Sequence, residues 1–214
     1  MIEALATGAE ARVTGERWER AVVCVNGGQS TQVPGTWSAS IEWLVRRLAP
    51  QLPDLAFVEV RYRIKSWRVL DGCIADCRAA MDLAKEHGAR EVVVLGFSMG
   101  GAVAIAVADD GAVHEVIGLA PWIPDRLDLG TLDGKRLAVI HGSLDAPLPG
   151  ISGVTPRSSR RGYERALARG VEGSYAVVRG GLHGLAVRSR GGRLVPLPRA
   201  GATVRLIAAE LAKL

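Results

Sequence analysis

Val92-Val93-Val94-Leu95-Gly96-Phe97-Ser98-Met99-Gly100-Gly101 decides how this chain is read. The apolar run is too short for a stable helix and carries no polar alternation, the pattern of a strand buried on both faces. It runs straight into Gly-x-Ser-x-Gly, and a helix of small residues is expected to follow from Ser98 to Ala108. Glycines on either side of a serine let the backbone turn sharply and hold the hydroxyl at the tip of the strand, above the helix N-terminus. That arrangement is a nucleophile elbow, and it makes Ser98 the candidate nucleophile.

Outward from this stretch, short apolar runs bounded by Gly or Pro alternate with longer amphipathic segments. Strands are predicted at Ala21–Val25, Ala56–Val60, Glu91–Gly96, Glu115–Leu119, Arg136–His141 and Ser174–Val178. Helices are predicted at Ser38–Ala49, Asp71–His87, Ser98–Ala108, Ser158–Ala168 and Thr203–Lys213, with Pro50, Gly88, Gly111 and Gly170 near the stops. Such alternation gives a mostly parallel sheet of about six strands, with helices on both faces in a three-layer α/β/α sandwich. The first fifteen or so residues read either as one or two short antiparallel strands at the sheet edge or as a loose arm. Residues 184–200, with their Arg-Ser-Arg-Gly-Gly-Arg centre, read as a turn or short hairpin. Only about fourteen residues separate Pro121 from the strand at Arg136, too few for an inserted helical cap, so the chain is expected to form one domain over 1–214 with an open site.

In an open α/β sheet, ligands lie beyond the carboxyl ends of the strands, so the loops there are where reactive residues matter. A serine hydroxyl needs a base, and the base needs a group that fixes its tautomer and stabilises its charge. Of the four histidines, His87 ends a helix, His114 precedes a strand and His141 closes one, each explicable as cap, surface or structural residue. His183, in Gly180-Gly181-Leu182-His183-Gly184 after the last strand, sits in a glycine loop able to bring an imidazole over Ser98. Asp145, in His141-Gly142-Ser143-Leu144-Asp145 after the penultimate strand, is the preferred acid. Asp125 and Asp128, on an earlier loop, are the competitors.

In the order nucleophile, acid, histidine, with spacings of 47 and 38 residues, the sequence resembles the α/β-hydrolase family over nearly its whole length. Val58-Glu59-Val60-Arg61-Tyr62-Arg63 and Leu119-Ala120-Pro121-Trp122 look like segments of its small, lid-less bacterial serine hydrolases. The resemblance implies an oxyanion hole formed by the backbone N–H of Met99 and by one from Asn26-Gly27-Gly28-Gln29. That stretch stands where the family has His-Gly-x. Gly28 is the chosen second donor, and Gln29 its neighbour is a candidate substrate-binding residue. Asn26 departs from the family's histidine. Trp122, and with it Trp37 and Trp67, follow strands and could line the pocket or equally be core aromatics. An arginine of the 184–200 segment, Arg188 or Arg190, could receive an anionic group of the substrate, the alternative being a solvent-exposed loop. The implied activity is hydrolysis of a carboxylic ester or thioester through an acyl-enzyme, with no cofactor. Acyl transfer, peptide cleavage and perhydrolysis use the same triad, and a non-catalytic small-molecule-binding protein could keep the same fold.

Composition is compatible with this and narrows the rest. The 214 residues are 48% hydrophobic and 23% charged, near the globular average, which excludes disorder and fibrous classes. No stretch reaches the roughly 18 uninterrupted apolar residues of a membrane helix, and the N-terminal residues are too charged for a signal peptide, so a cytoplasmic protein is expected. The net charge of +5 comes from arginines grouped at Arg157, Arg160, Arg161, Arg165, Arg169 and at Arg188, Arg190, Arg193, Arg199. Aromatics are nearly absent between them, so a solvated face is expected rather than a nucleic-acid surface. Cys24, Cys73 and Cys77 read as core thiols. Cys73 and Cys77 share a helix face but have no further partner for a metal site. Neither Gly-x-x-x-x-Gly-Lys-Ser/Thr nor Gly-x-Gly-x-x-Gly occurs, so nucleotide chemistry has no support.

Overall fold

Side-chain alternation along the central strands sorts the apolar residues into two cores, one on each side of a single sheet. Val23 and Val25 with Val92 and Val94 point into one core; Val22 and Cys24 with Val93 and Leu95 point into the other. The structure, a computed structural model, describes residues 1–146 and 153–213. Its strands are β1 (Ile2–Ala4), β2 (Glu10–Thr14), β3 (Arg20–Val25), β4 (Val33–Pro34), β5 (Leu55–Arg61), β6 (Ile64–Lys65), β7 (Glu91–Phe97), β8 (Val113–Leu119), β9 (Arg136–Gly142), β10 (Glu172–Val178), β11 (Ala186–Arg188) and β12 (Leu194–Pro196). The helices are α1 (Ala39–Leu48), α2 (Leu70–Glu86), α3 (Met99–Ala106), α4 (Pro156–Leu167) and α5 (Ala200–Leu211).

Eight strands form the main sheet in the order β1-β2-β5-β3-β7-β8-β9-β10. The six from β5 to β10 are parallel and match the six expected from the apolar runs. The other two are the N-terminal residues, which pair antiparallel with each other and with β5. Cys73, Cys77, Ala80, Met81 and Ala84 of α2, Val103 and Ala104 of α3, and Tyr163 and Ala166 of α4 fill one core. Ile41, Leu44 and Leu48 of α1, with Val204, Ile207 and Leu211 of α5, fill the other. The three-layer α/β/α architecture is therefore as expected. Residues 184–200 hold the β11–β12 hairpin. Between Pro121 and Arg136 there is only one 3-10 turn, Gly130–Leu132, and no cap. The three cysteines are free and buried, and burial pushes all three thiols up, as befits core positions. Among the described residues no helix is long and apolar enough to cross a membrane.

The chain leaves β3 for β5 on one side and later returns to place β7 on the other. The strand order therefore reverses at β3, and the loops after β3 and β7 diverge to leave a crevice there. A short ladder absent from the sequence reading, β4 with β6, ties the loop after β3 to the loop after β5. It brings Lys65 within hydrogen-bond reach of Thr36, at 2.7 Å.

One buried carboxyl opposes the fold. Glu115 of β8 has a side chain 3% exposed, its Oε1 accepts no hydrogen bond among the described residues, and Arg136 lies 3.8 Å away. Burial, helped by the nearby Glu210, pushes its pKa up to about 7. Below the ordinary glutamate range the group is protonated in folded and unfolded chains alike. As pH rises toward 7 the unfolded chain ionises first, and stability is lost. Glu115→Gln is accordingly expected to stabilise the protein by about 3 kcal/mol at about pH 8 and by almost nothing at about pH 4, measured by urea unfolding. An equal gain at both pH values would contradict this account.

Candidate active site

The turn after β7 is held by sterics before any chemistry is considered. Ser98 has φ 56° and ψ −118°, a region that residues with a Cβ avoid and that persists only where the surroundings impose it. A Cβ at position 96 would lie 2.2 Å from the Gly100 carbonyl oxygen, and one at position 100 would lie 2.6 Å from that of Val25. Both glycines are thus required for strand and helix to approach so closely. The turn is further fixed by the Ser98 N–H donating to Leu119 O at 3.0 Å, and by the N–H groups of Gly101 and Trp122 donating to Ser98 O at 2.9 and 2.8 Å. Leu119-Ala120-Pro121-Trp122 therefore acts as a brace against the elbow.

The loops after β9 and β10 are joined in the same way. Ser143 N–H donates to Val178 O at 3.0 Å, Leu144 N–H to Gly181 O at 2.9 Å, and Gly180 N–H to Ser143 Oγ at 2.9 Å. Asp145 and His183 are carried on these two locked loops. His183 Nδ1 lies 2.6 Å from Asp145 Oδ2, and His183 Nε2 lies 3.0 Å from Ser98 Oγ. The three residues picked from the sequence stand in one hydrogen-bonded line. Asp145 is 3% exposed. Burial alone would raise its carboxyl pKa, but hydrogen bonds from His141 and His183 outweigh burial and hold it below the usual aspartate value. The ionised carboxylate can only accept, so Nδ1 of His183 carries a proton and Nε2 is free to accept the serine hydroxyl. The competing acids are engaged elsewhere. Asp125 pairs with Arg161 and Arg165, and Asp128 accepts from the Gly130 N–H.

A second histidine, expected from its place at the end of a strand to be structural, is also attached to the acid. His141, at 0% exposure, places Nε2 2.8 Å from Asp145 Oδ2 and 2.7 Å from Val154 O. Both neighbours are acceptors, so Nε2 carries the proton and Nδ1 accepts from Ser159 Oγ at 2.7 Å. Tyr175, 2.8 Å from Ser159 Oγ and from Pro156 O, completes this buried set. The available signal was a single histidine closing the otherwise apolar run Leu137-Ala138-Val139-Ile140, four residues before the acid.

The loop after β3 lies beside the elbow. A Cβ at Gly27 would fall 3.2 Å from Ser98 Cβ, and one at Gly28 would fall 2.2 Å from Met99 Sδ. Gly28 and Met99, the two chosen oxyanion donors, are therefore neighbours at the mouth of the site. Asn26, where the family has histidine, shapes this loop: its Oδ1 accepts from Gly27 N–H at 2.7 Å, its Nδ2 donates to Thr36 O at 3.1 Å, and its carbonyl accepts from the Tyr62 hydroxyl at 3.2 Å. Two cavities flank the serine. One of about 250 Å³ is lined by Trp67, Ser98, Met99, Trp122, Gly153 and Val154. The other, of about 540 Å³, has His183, Phe97, Trp37, Leu144, Lys65 and Arg188 in its wall. All three tryptophans singled out thus face one cavity or the other. Gln29 lines neither; its amide is bonded to Thr31 Oγ1 at 2.8 Å. Arg188 reaches the larger cleft but is bound to Glu42 at 2.7 Å, and Arg190 does not line either cavity.

This architecture and loop placement are those of the α/β-hydrolase fold. The chain is similar to an α/β serine hydrolase homologue from Coxiella burnetii at 17% identity, covering 99% of this chain and 96% of that one with a TM-score of 0.69. It is similar also to carboxyl esterase 2 of the fungus Tuber melanosporum (15% identity, 100% and 84% covered, TM-score 0.72). A third similar structure is a dienelactone hydrolase-like promiscuous phosphotriesterase from metagenomic libraries (16% identity, 100% and 97% covered, TM-score 0.66). No family model matches the sequence, and no curated protein matches it.

Proposed function

We propose that the protein is a serine hydrolase that cleaves a carboxylic ester or thioester through an acyl-enzyme. The observation that carries this reading is the line Ser98 Oγ, His183 Nε2, His183 Nδ1, Asp145 Oδ2, with contacts of 3.0 and 2.6 Å, at the tip of a strained elbow. The serine hydrolase homologue and the esterase among the similar structures support it. Ser98 Oγ attacks the carbonyl carbon while His183 Nε2 takes its proton, and Asp145 stabilises the imidazolium that results. The oxyanion is received by the N–H groups of Met99 and Gly28. His183 then gives the proton to the departing oxygen or sulfur, and the C–O or C–S bond breaks. In the second half-reaction water replaces the leaving group, loses a proton to His183, and releases the acid and free Ser98.

The test is intact-protein mass after incubation with a fluorophosphonate probe. Wild type is expected to gain one adduct and Ser98→Ala none, and product analysis on an ester then separates hydrolysis from acyl transfer. Folded wild type without an adduct would overturn the reading in favour of a binding protein on this fold.

A further inference from the structure

The two cavities on either side of Ser98 differ in chemistry, and the reaction assigns each its part of the substrate. This inference rests on the proposed hydrolysis through an acyl-enzyme. The bond that breaks joins the carbonyl carbon to the leaving atom, and His183 Nε2 must deliver a proton to that atom, so the leaving group occupies the cleft with His183 in its wall. The acyl part, which remains on Ser98 Oγ, takes the smaller cavity among Trp67, Met99, Trp122 and Val154. That smaller cavity is walled by apolar side chains. The larger one contains two cations, Arg188 and Lys65.

The two cations are not equivalent. Arg188 is committed, donating to Glu42 at 2.7 Å and to Gly192 O at 3.2 Å. Lys65 makes no ion pair among the described residues, and its one hydrogen bond is to a neutral group, Thr36 Oγ1, at 2.7 Å. Elsewhere Lys85 is paired with Asp82 and Asp110, and Lys213 with Glu210. An ammonium has three donors, so Lys65 keeps two for a ligand while Thr36 fixes its position. Partial burial also lowers its pKa, the mark of a cation short of both water and counter-charge. The other charged side chain in the wall of the cleft, Asp145, is already shared by two histidines. We infer that the natural substrate is an ester of a small apolar acid whose leaving group carries a carboxylate, and that Lys65 receives that carboxylate in the larger cleft.

The experiment compares kcat/KM for two acetyl esters, 4-acetoxybenzoate and its neutral isostere 4-acetoxybenzamide, in wild type and in Lys65→Gln. Taking the ratio of the two esters within each protein, and then between proteins, cancels their intrinsic reactivities. The preference for the charged ester is expected to fall roughly five- to tenfold in Lys65→Gln and to shrink in wild type as salt is raised, as a half-exposed charge pair requires. Lys213→Gln, which removes the same charge outside the cleft, should keep the wild-type ratio. An identical ratio in wild type and Lys65→Gln overturns the inference. If no ester is turned over and Ser98 takes no probe, the acyl-enzyme reading fails instead. The anion site is then judged by NMR titration with 4-hydroxybenzoate and 4-hydroxybenzamide, and equal binding of the two, or binding indifferent to Lys65→Gln, overturns it as well.

Discussion

Alanine at Ser98 or at His183 is expected to lower kcat/KM on 4-nitrophenyl acetate by about 10⁴- to 10⁶-fold, and the double variant to lose no more than either single one. The reason is that the two side chains act as a unit. Without the imidazole, the hydroxyl 3.0 Å away has no acceptor for its proton; without the hydroxyl, the imidazole has no nucleophile to activate. The residual rate is expected to come from substrate binding and from the N–H groups proposed to receive the oxyanion, those of Met99 and Gly28, which neither substitution touches. Alanine keeps a Cβ at the strained position 98, and the His183 side chain is 19% exposed, so both variants should fold; far-UV circular dichroism and the urea midpoint check this. Steady-state kinetics on the three variants is the measurement. Single variants within tenfold of wild type, or losses that multiply in the double variant, would be incompatible with a coupled pair.

What could be read from the sequence was what the backbone demands locally. Gly96 and Gly100 announce the elbow because no other residue fits against Gly100 O and Val25 O, and that need leaves its mark within five residues. The parallel strands were readable because burial on both faces turns Ala21–Val25 or Val92–Leu95 into unbroken apolar runs. Asp145 and His183 followed from topology, being the reactive residues just after successive strands. Other features depend on meetings that no local pattern encodes. Glu10–Thr14 becomes a strand because β5 offers it an edge, and Lys65 reaches the cleft only through the two-residue ladder of β4 and β6. His141 looked like a strand-end residue because its partners, Val154 and Ser159, arrive from a later part of the chain.

Those partners set the second large effect. Asp145→Asn is expected to reduce kcat by about 10³- to 10⁴-fold with the fold retained, because the carboxylate supplies the negative charge that stabilises the His183 imidazolium as it forms. Oδ2 of Asp145 accepts from His141 Nε2 and His183 Nδ1 at 2.8 and 2.6 Å. Both contacts are to one oxygen, so an amide that keeps its oxygen there accepts from both histidines but carries no charge to stabilise the His183 imidazolium. Its NH₂ is left at the position of Oδ1, buried and without a partner among the described residues. Removing the other histidine acts in the opposite sense. In His141→Phe the carboxylate loses one of its two donors, so the undivided charge holds the His183 imidazolium more firmly. The acid limb of the kcat/KM profile is therefore expected to move to higher pH. In that variant Val154 O loses the His141 N–H and the Ser159 hydroxyl keeps Tyr175 but loses the imidazole, which should cost about 1–3 kcal/mol of stability. His141 is in these terms a positioning residue, acting on the reaction only through Asp145. Full pH–rate profiles of wild type, Asp145→Asn and His141→Phe decide the matter. An acid limb unmoved in folded His141→Phe would reduce His141 to a packing role, and an Asp145→Asn enzyme within tenfold of wild type would remove Asp145 from the triad.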